Sequence, residues 1–203
     1  MDAHLRAGAA IYNTGEFHAA HDAWEELWLD MDDGPDRDLL QGLIQFTAAV
    51  YHADRRSWEG ATGLARSGHD YLSGLGTTRH GVALDPIRAY LAVLGRDPEI
   101  IERQSLIRME MGDEIVTVNE LPFKSVAIAA RVLAEEYEYG ETLIERAIEY
   151  GQADLAEENA PSQFVALLID FVQGEQRAIV RQRLKEHVER RAYKESDVEG
   201  LFE

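Results

Sequence analysis

The chain of 203 residues contains no cysteine. That removes disulfides, thiolate metal sites and cysteine nucleophiles together. Lysine is nearly missing, with Lys124, Lys185 and Lys194 as the full set. Lys and Arg together number 20 against 38 Asp and Glu, a net charge of −18. Phosphate-backbone recognition needs clustered Lys and Arg, so no nucleic-acid partner is expected. No apolar run reaches the roughly 18 residues of a membrane helix. The opening stretch, MDAHLRAGAAIYNTGEF, lacks the basic start and long apolar segment of a signal peptide. Cytoplasm is therefore the expected location, with no membrane partner. Gly-rich phosphate loops, a nucleophile elbow and a Ser-His-Asp pattern are also missing, and nothing in the sequence names a cofactor.

Hydrophobic residues make up 45% of the chain, enough for a real core and too many for a disordered acidic chain. The length fits one large domain, or one domain plus an extension. Like charges repel across a screening length of roughly 10 Å at 0.1 M salt and about 3 Å at 1 M. An acidic surface of this kind reads as adaptation to a salt-rich cytoplasm, as in halophilic archaea.

The periodicity predicts an all-α protein, an antiparallel bundle of helical hairpins with a C-terminal helical extension. Helices are expected at about 2–13, 16–30, 36–54, 57–75, 85–95 and 98–106. Asn13-Thr14-Gly15 stops the first, and Thr14 is a candidate cap for the second. The helix at 36–54 is apolar on two sides, with Leu40, Ile44 and Tyr51 on one and Leu43, Phe46 and Val50 on the other, as a central helix should be. Gly60, Ala61, Ala65 and Gly68 permit close packing of the helix after it. At an offset of 41 residues, Gly15-Glu16-Phe17 and Ala20 are echoed by Arg56-Ser57-Trp58 and Ala61. Two echoes are too few for a solenoid, so they predict a pair of similar hairpins in one bundle.

Residues 76–84 read as a loop, and 107–121 as a short β-hairpin turning at Gly112-Asp113 or an extended arm. The domain reading is a helical domain at 1–106 and a helical extension at 107–203 packing on it. Val126, Ala130, Leu133, Tyr137, Gly140, Ile144, Ala147 and Gly151 form a heptad-like seam, on one long helix or two broken at Gly140. The seam supports either a homodimer or packing on the chain's own N-terminal half. A last helical region is expected at 161–193, bent at Gly174. The acidic end holds Val198, Leu201 and Phe202, which dock on the body or stay loose.

The one candidate polar site lies in 14–52. His21, Glu25 and Trp28 neighbour one another on the second helix, with Asp22 at the border. Gln41, Gln45 and His52 form the one polar stripe of the central helix, and the two stripes are expected to meet. The favoured reading is a buried network in which an ionised Glu25 is shared by His21 and His52 and the glutamines satisfy what remains. The alternative is a metal site on His21, Glu25 and His52, of the zinc or iron kind, although no His-Glu-x2-His arrangement is present. Trp24, Trp28 and Trp58 read as core anchors, and His4, His18, His69 and His80 as exposed.

The run Gly15-x4-Ala20-His21-Asp22-x2-Glu25-x2-Trp28, then Gly42-Leu43-Ile44-Gln45, then Gly60-Ala61, resembles a prokaryotic domain-of-unknown-function family, number three-zero-nine in that series. The resemblance covers roughly residues 8–105, and 106–203 resembles an extension of archaeal relatives. It implies antiparallel helices and no particular reaction. It also implies Glu where this chain has Asp22. Together these readings predict a cytosolic helical scaffold that binds an unknown small ligand or protein partner at the cluster. The alternative is a metal-assisted hydrolase using His21, Glu25 and His52.

Overall fold

The computed structural model describes residues 1–157 and 161–199, the side chains of the last two aside. Leu201, Phe202 and the side chain of Val198 therefore lie outside the described residues. Two compact units are present, Met1–Ser125 and Val126–Glu203.

In the first unit, α1 (Asp2–Asn13), α2 (Phe17–Leu29), α3 (Pro35–Asp54) and α4 (Trp58–Ser73) run antiparallel in sequence, followed by α5 (Leu84–Leu94). α3 is central, burying Leu39, Leu40, Leu43, Phe46 and Val50 completely. Its Phe46 ring meets Tyr12 of α1 at 5.0 Å and Tyr90 of α5 at 6.4 Å. Trp24 of α2 is fully buried, and its indole N–H donates to the His4 carbonyl at 2.9 Å. The ring fills the space left by Gly8, where any β-carbon would overlap it. Trp28 and Trp58 are only partly buried, so one of the three expected core anchors fills that role.

The 41-residue echo is a repeat of backbone geometry. Gly15 and Arg56 both take positive φ, +95° and +58°. After them, the Glu16 N–H donates to the Ile11 carbonyl at 3.3 Å, and the Ser57 N–H to the His52 carbonyl at 2.8 Å. The same helix-ending turn thus closes α1 and α3. Arginine adopts it against a steric preference of roughly 1–2 kcal/mol.

Four two-residue strands form one antiparallel sheet in the order β1 (Thr78–Arg79), β2 (Val82–Ala83), β3 (Glu110–Met111), β4 (Glu114–Ile115). The hairpin expected near Gly112-Asp113 is present, with Glu110 opposite Ile115. The expected loop at 76–84 holds a second hairpin, where His80 and Gly81 both take positive φ, +47° and +83°. That is the mirror-image turn that two-residue hairpins require. Met111 pairs with Val82, so the 107–121 segment belongs to the first unit. Asn13 fixes it to the end of α1. The Asn13 amide donates to the carbonyls of Met109 and Val116, both at 2.9 Å, and its carbonyl accepts from Met109 N–H at 2.8 Å. Asp36, in the first turn of α3, accepts from Arg79 Nε at 2.7 Å and is bonded to His80 Nε2 at 2.8 Å. His80 is thus a paired residue rather than an idle surface one. The helix expected at 98–106 is only a 3-10 turn, Pro98–Glu102, burying Ile100 alone. So little apolar surface cannot hold a longer helix.

The division between units falls within α6 (Phe123–Glu136), after which come α7 (Glu141–Ala156), α8 (Gln163–Gln173) and α9 (Arg177–Glu199). Gly140, at φ +83°, separates α6 from α7, and Gly174, at φ +90°, ends α8. Both glycines therefore break helices rather than bend them. Ser162 caps α8, its hydroxyl accepting from Val165 N–H at 3.3 Å. Leu133, Ile144 and Ala147 of the heptad-like seam are at most 1% exposed within the single chain. The seam is interrupted at Gly140, and Tyr137 on it is 38% exposed. Among the described residues, no helix is long and apolar enough to cross a membrane.

Candidate functional site

α2 buries Ala19, Ala20, Ala23 and Trp24, so positions 21, 22 and 25 fall toward its open side. His21 Nε2 lies 2.8 Å from Asp22 Oδ1, with side chains 20% and 33% exposed. Glu25 follows one turn on and is exposed. One ligand atom from each of His21, Asp22 and Glu25 falls within 4.8 Å of the others. Burial works to lower the His21 pKa, but the Asp22 hydrogen bond and charge outweigh it, helped by Glu25 and the His18 backbone, and the net direction is upward. His21 Nδ1 is buried and makes no well-formed hydrogen bond. The arrangement is an imidazole gripped by one carboxylate with a second beside it, half open to solvent. It can hold a proton, or exchange that proton for a cation bound through one nitrogen and carboxylate oxygens.

The expected meeting of two polar stripes is not what the structure brings together. Tyr51, not His52, turns toward α2, its ring 5.0 Å from that of His18. His52 lies against α4, where a β-carbon on Gly60 would stand 2.8 Å from Nδ1. Gln45 packs on the same helix, its Cβ 3.1 Å from where Gly68 would carry one. Gln41 and Gln45 are partly exposed and make no side-chain hydrogen bond with a described residue. The shared Glu25 of the predicted network is thus corrected. Glu25 is at the surface, Asp22 takes the His21 hydrogen bond, and His52 joins neither. Trp28 stands at the end of the same face under the Arg37 guanidinium, 4.5 Å from the ring centre.

Two features escaped the sequence reading. Tyr12 and Tyr90 are buried with no partner for either hydroxyl among the described residues, and burial pushes both phenols upward in pKa. Arg66, His69 and Arg96 line one concavity between α4 and α5. The signal for the second was in the sequence, since Arg66 and His69 share a helix face three residues apart.

A pair of matched helical hairpins with a polar triplet on its second helix defines the first unit as a mostly helical hairpin domain with a small antiparallel sheet. Residues 5–64 match the family model described as Domain of unknown function (DUF309). The matched stretch holds every candidate residue from His21 to His52. The match ends well before residue 105, yet it includes Gly60-Ala61, the last part of the motif. No curated protein matches the chain.

Proposed function

We propose that the protein is a cytoplasmic helical binding module. Its first unit takes a divalent cation of the zinc class at His21, Asp22 and Glu25 and presents the cation's open positions to a small ligand or partner. The observation behind this reading is the grouping of three donors within 4.8 Å on a half-open face. A buried network would have consumed them, whereas Glu25 is exposed and the His21 and Asp22 side chains are partly open to solvent. One imidazole and two carboxylates suit zinc or a neighbouring transition metal. A dication at this face also relieves part of a charge of −18. The hydrolase reading loses His52 as a ligand. It would have to use Glu25 both as ligand and as base, and for that reason binding is preferred.

The test is calorimetric titration of the full chain with zinc chloride at fixed ionic strength. One equivalent should bind, be lost in His21→Ala and Asp22→Asn, and persist in His52→Ala. No saturable binding, or binding that disappears in His52→Ala alone, refutes the assignment. Zinc-dependent hydrolysis of p-nitrophenyl phosphate that disappears in Glu25→Gln, with zinc still bound, would favour the hydrolase.

A further inference from the structure

The repeat offset of 41 residues carries Glu25 of α2 onto Arg66 of α4, and Trp28 onto His69. The second hairpin therefore presents basic groups where the first presents an acid and an indole. Arg66 and His69, with Arg96 from the turn after α5, line a concavity of about 200 Å³ walled by Leu91 and Ala92. The Arg66 Nε donates to the Gly95 carbonyl at 3.0 Å, which fixes the guanidinium at the rim and leaves its two terminal nitrogens unbonded. Arg96 makes no side-chain hydrogen bond or ion pair with a described residue, and Arg66 holds no carboxylate.

In the first unit Arg6, Arg37, Arg56, Arg79, Arg88 and Arg103 each hold a carboxylate, whereas Arg55 lies on the Tyr51 ring, Arg108 donates to the Asn13 carbonyl, and Arg66 and Arg96 meet at one concavity. Asp70 also lines the concavity, its carboxylate 3.9 Å from His69 Nδ1 and 87% exposed, so it is solvated and pairs with neither arginine. Two unpaired guanidinium groups and an imidazole at one concavity form an anion receptor. Guanidinium forks match phosphoryl oxygens in geometry and are weakly hydrated. A phosphate monoester brings three oxygens and about −1.5 to −2 of charge to two guanidinium groups and an imidazole. Ala92, partly exposed beside the fully buried Leu91, leaves room for an apolar substituent. We propose that this concavity binds a small organic phosphate monoester, with Arg66, Arg96 and His69 on the phosphoryl group. The inference does not depend on the cation reading of α2.

Inorganic phosphate and phenyl phosphate are titrated into the full chain, with potassium chloride adjusted to constant ionic strength. The His69 ring signals, identified by their loss in His69→Gln, report binding. Both probes should give saturable shifts, with phenyl phosphate several-fold tighter because of the apolar wall. Arg96→Gln should weaken both at least tenfold. It is the decisive variant, because Arg66→Gln also removes the Gly95 contact. Arg55→Gln, whose guanidinium lies 4.5 Å from the Tyr51 ring centre, should leave binding unchanged. Shifts that do not saturate, an equal response to added chloride, tighter binding of succinate than of either phosphate, or full affinity in Arg96→Gln would each overturn the proposal.

Discussion

The imidazole of His52 rests on Gly60, close enough that a β-carbon there would stand 2.8 Å from Nδ1. The contact is intimate because Gly60 sits in the first turn of α4 and α3 runs alongside. Two effects oppose each other in Gly60→Ala. Alanine gains roughly 0.5–1 kcal/mol over glycine in a helix, whereas overpacking costs about 1–3 kcal/mol. Overpacking wins, so Gly60→Ala should destabilise by on the order of 1 kcal/mol. In a His52→Ala background the obstacle is gone, and the same substitution should stabilise. Urea midpoints of the four variants check this, and the loss should not persist at full size once His52 is removed.

This contact also shows what the sequence could and could not convey. Helix positions in the first unit were legible because apolar spacing, Gly15 and Pro35 mark them directly. The 41-residue echo was legible too, and it proved to be shared backbone geometry at Gly15 and Arg56. The partner of the polar stripe on α3 was not. A central helix has neighbours on several sides, and periodicity gives the direction of a stripe without naming what lies there. Gly60 and Gly68 carried the missing information, since missing side chains on α4 make room for His52 and Gln45. Asp22 stands only at the border of the expected cluster, because its position on the helix points outward. One residue's separation from His21 still allowed a 2.8 Å bond at the helix surface. The 76–84 hairpin was hidden because its strands are two residues long, too short for alternation to register.

The His21–Asp22 pair makes first-unit stability depend on pH in a defined direction. Burial works to lower the His21 pKa, but Asp22 and Glu25 raise it above the ordinary value of 6.5. A histidine with a raised folded-state pKa binds its proton more tightly in the native state. Its contribution is therefore complete below pH 6.5 and lost as pH climbs through the raised value. Asp22→Asn should bring the His21 titration, followed by ring proton resonances, down toward or below 6.5. It should also flatten the decline in stability above neutrality. An unchanged His21 titration in Asp22→Asn would remove the pair as its cause.

Salt should act on the whole chain through the imbalance of charge. Ion pairs and like-charge repulsion are both screened, so the sign of the effect depends on which is larger. Pairs such as Arg56–Glu102 and Arg103–Glu99 lie at the surface, where each contributes about 0–1 kcal/mol. Against them stands a net charge of −18, whose mutual repulsion extends over roughly 10 Å at 0.1 M salt and about 3 Å at 1 M. Repulsion dominates, and the thermal midpoint should rise steeply between about 0.1 M and molar potassium chloride. Asp30 and Asp32 offer a control, since both are exposed in the loop between α2 and α3. Asp30 also caps the C-terminus of α2, where the helix dipole disfavours negative charge. Neutralising both to Asn should raise the midpoint at low salt and leave it unchanged at high salt, where screening has already removed their cost. Potassium chloride is the right salt because sulfate would strengthen burial by exclusion from the surface. A wild-type midpoint that stays flat across this range would show that the acidic excess does not limit stability.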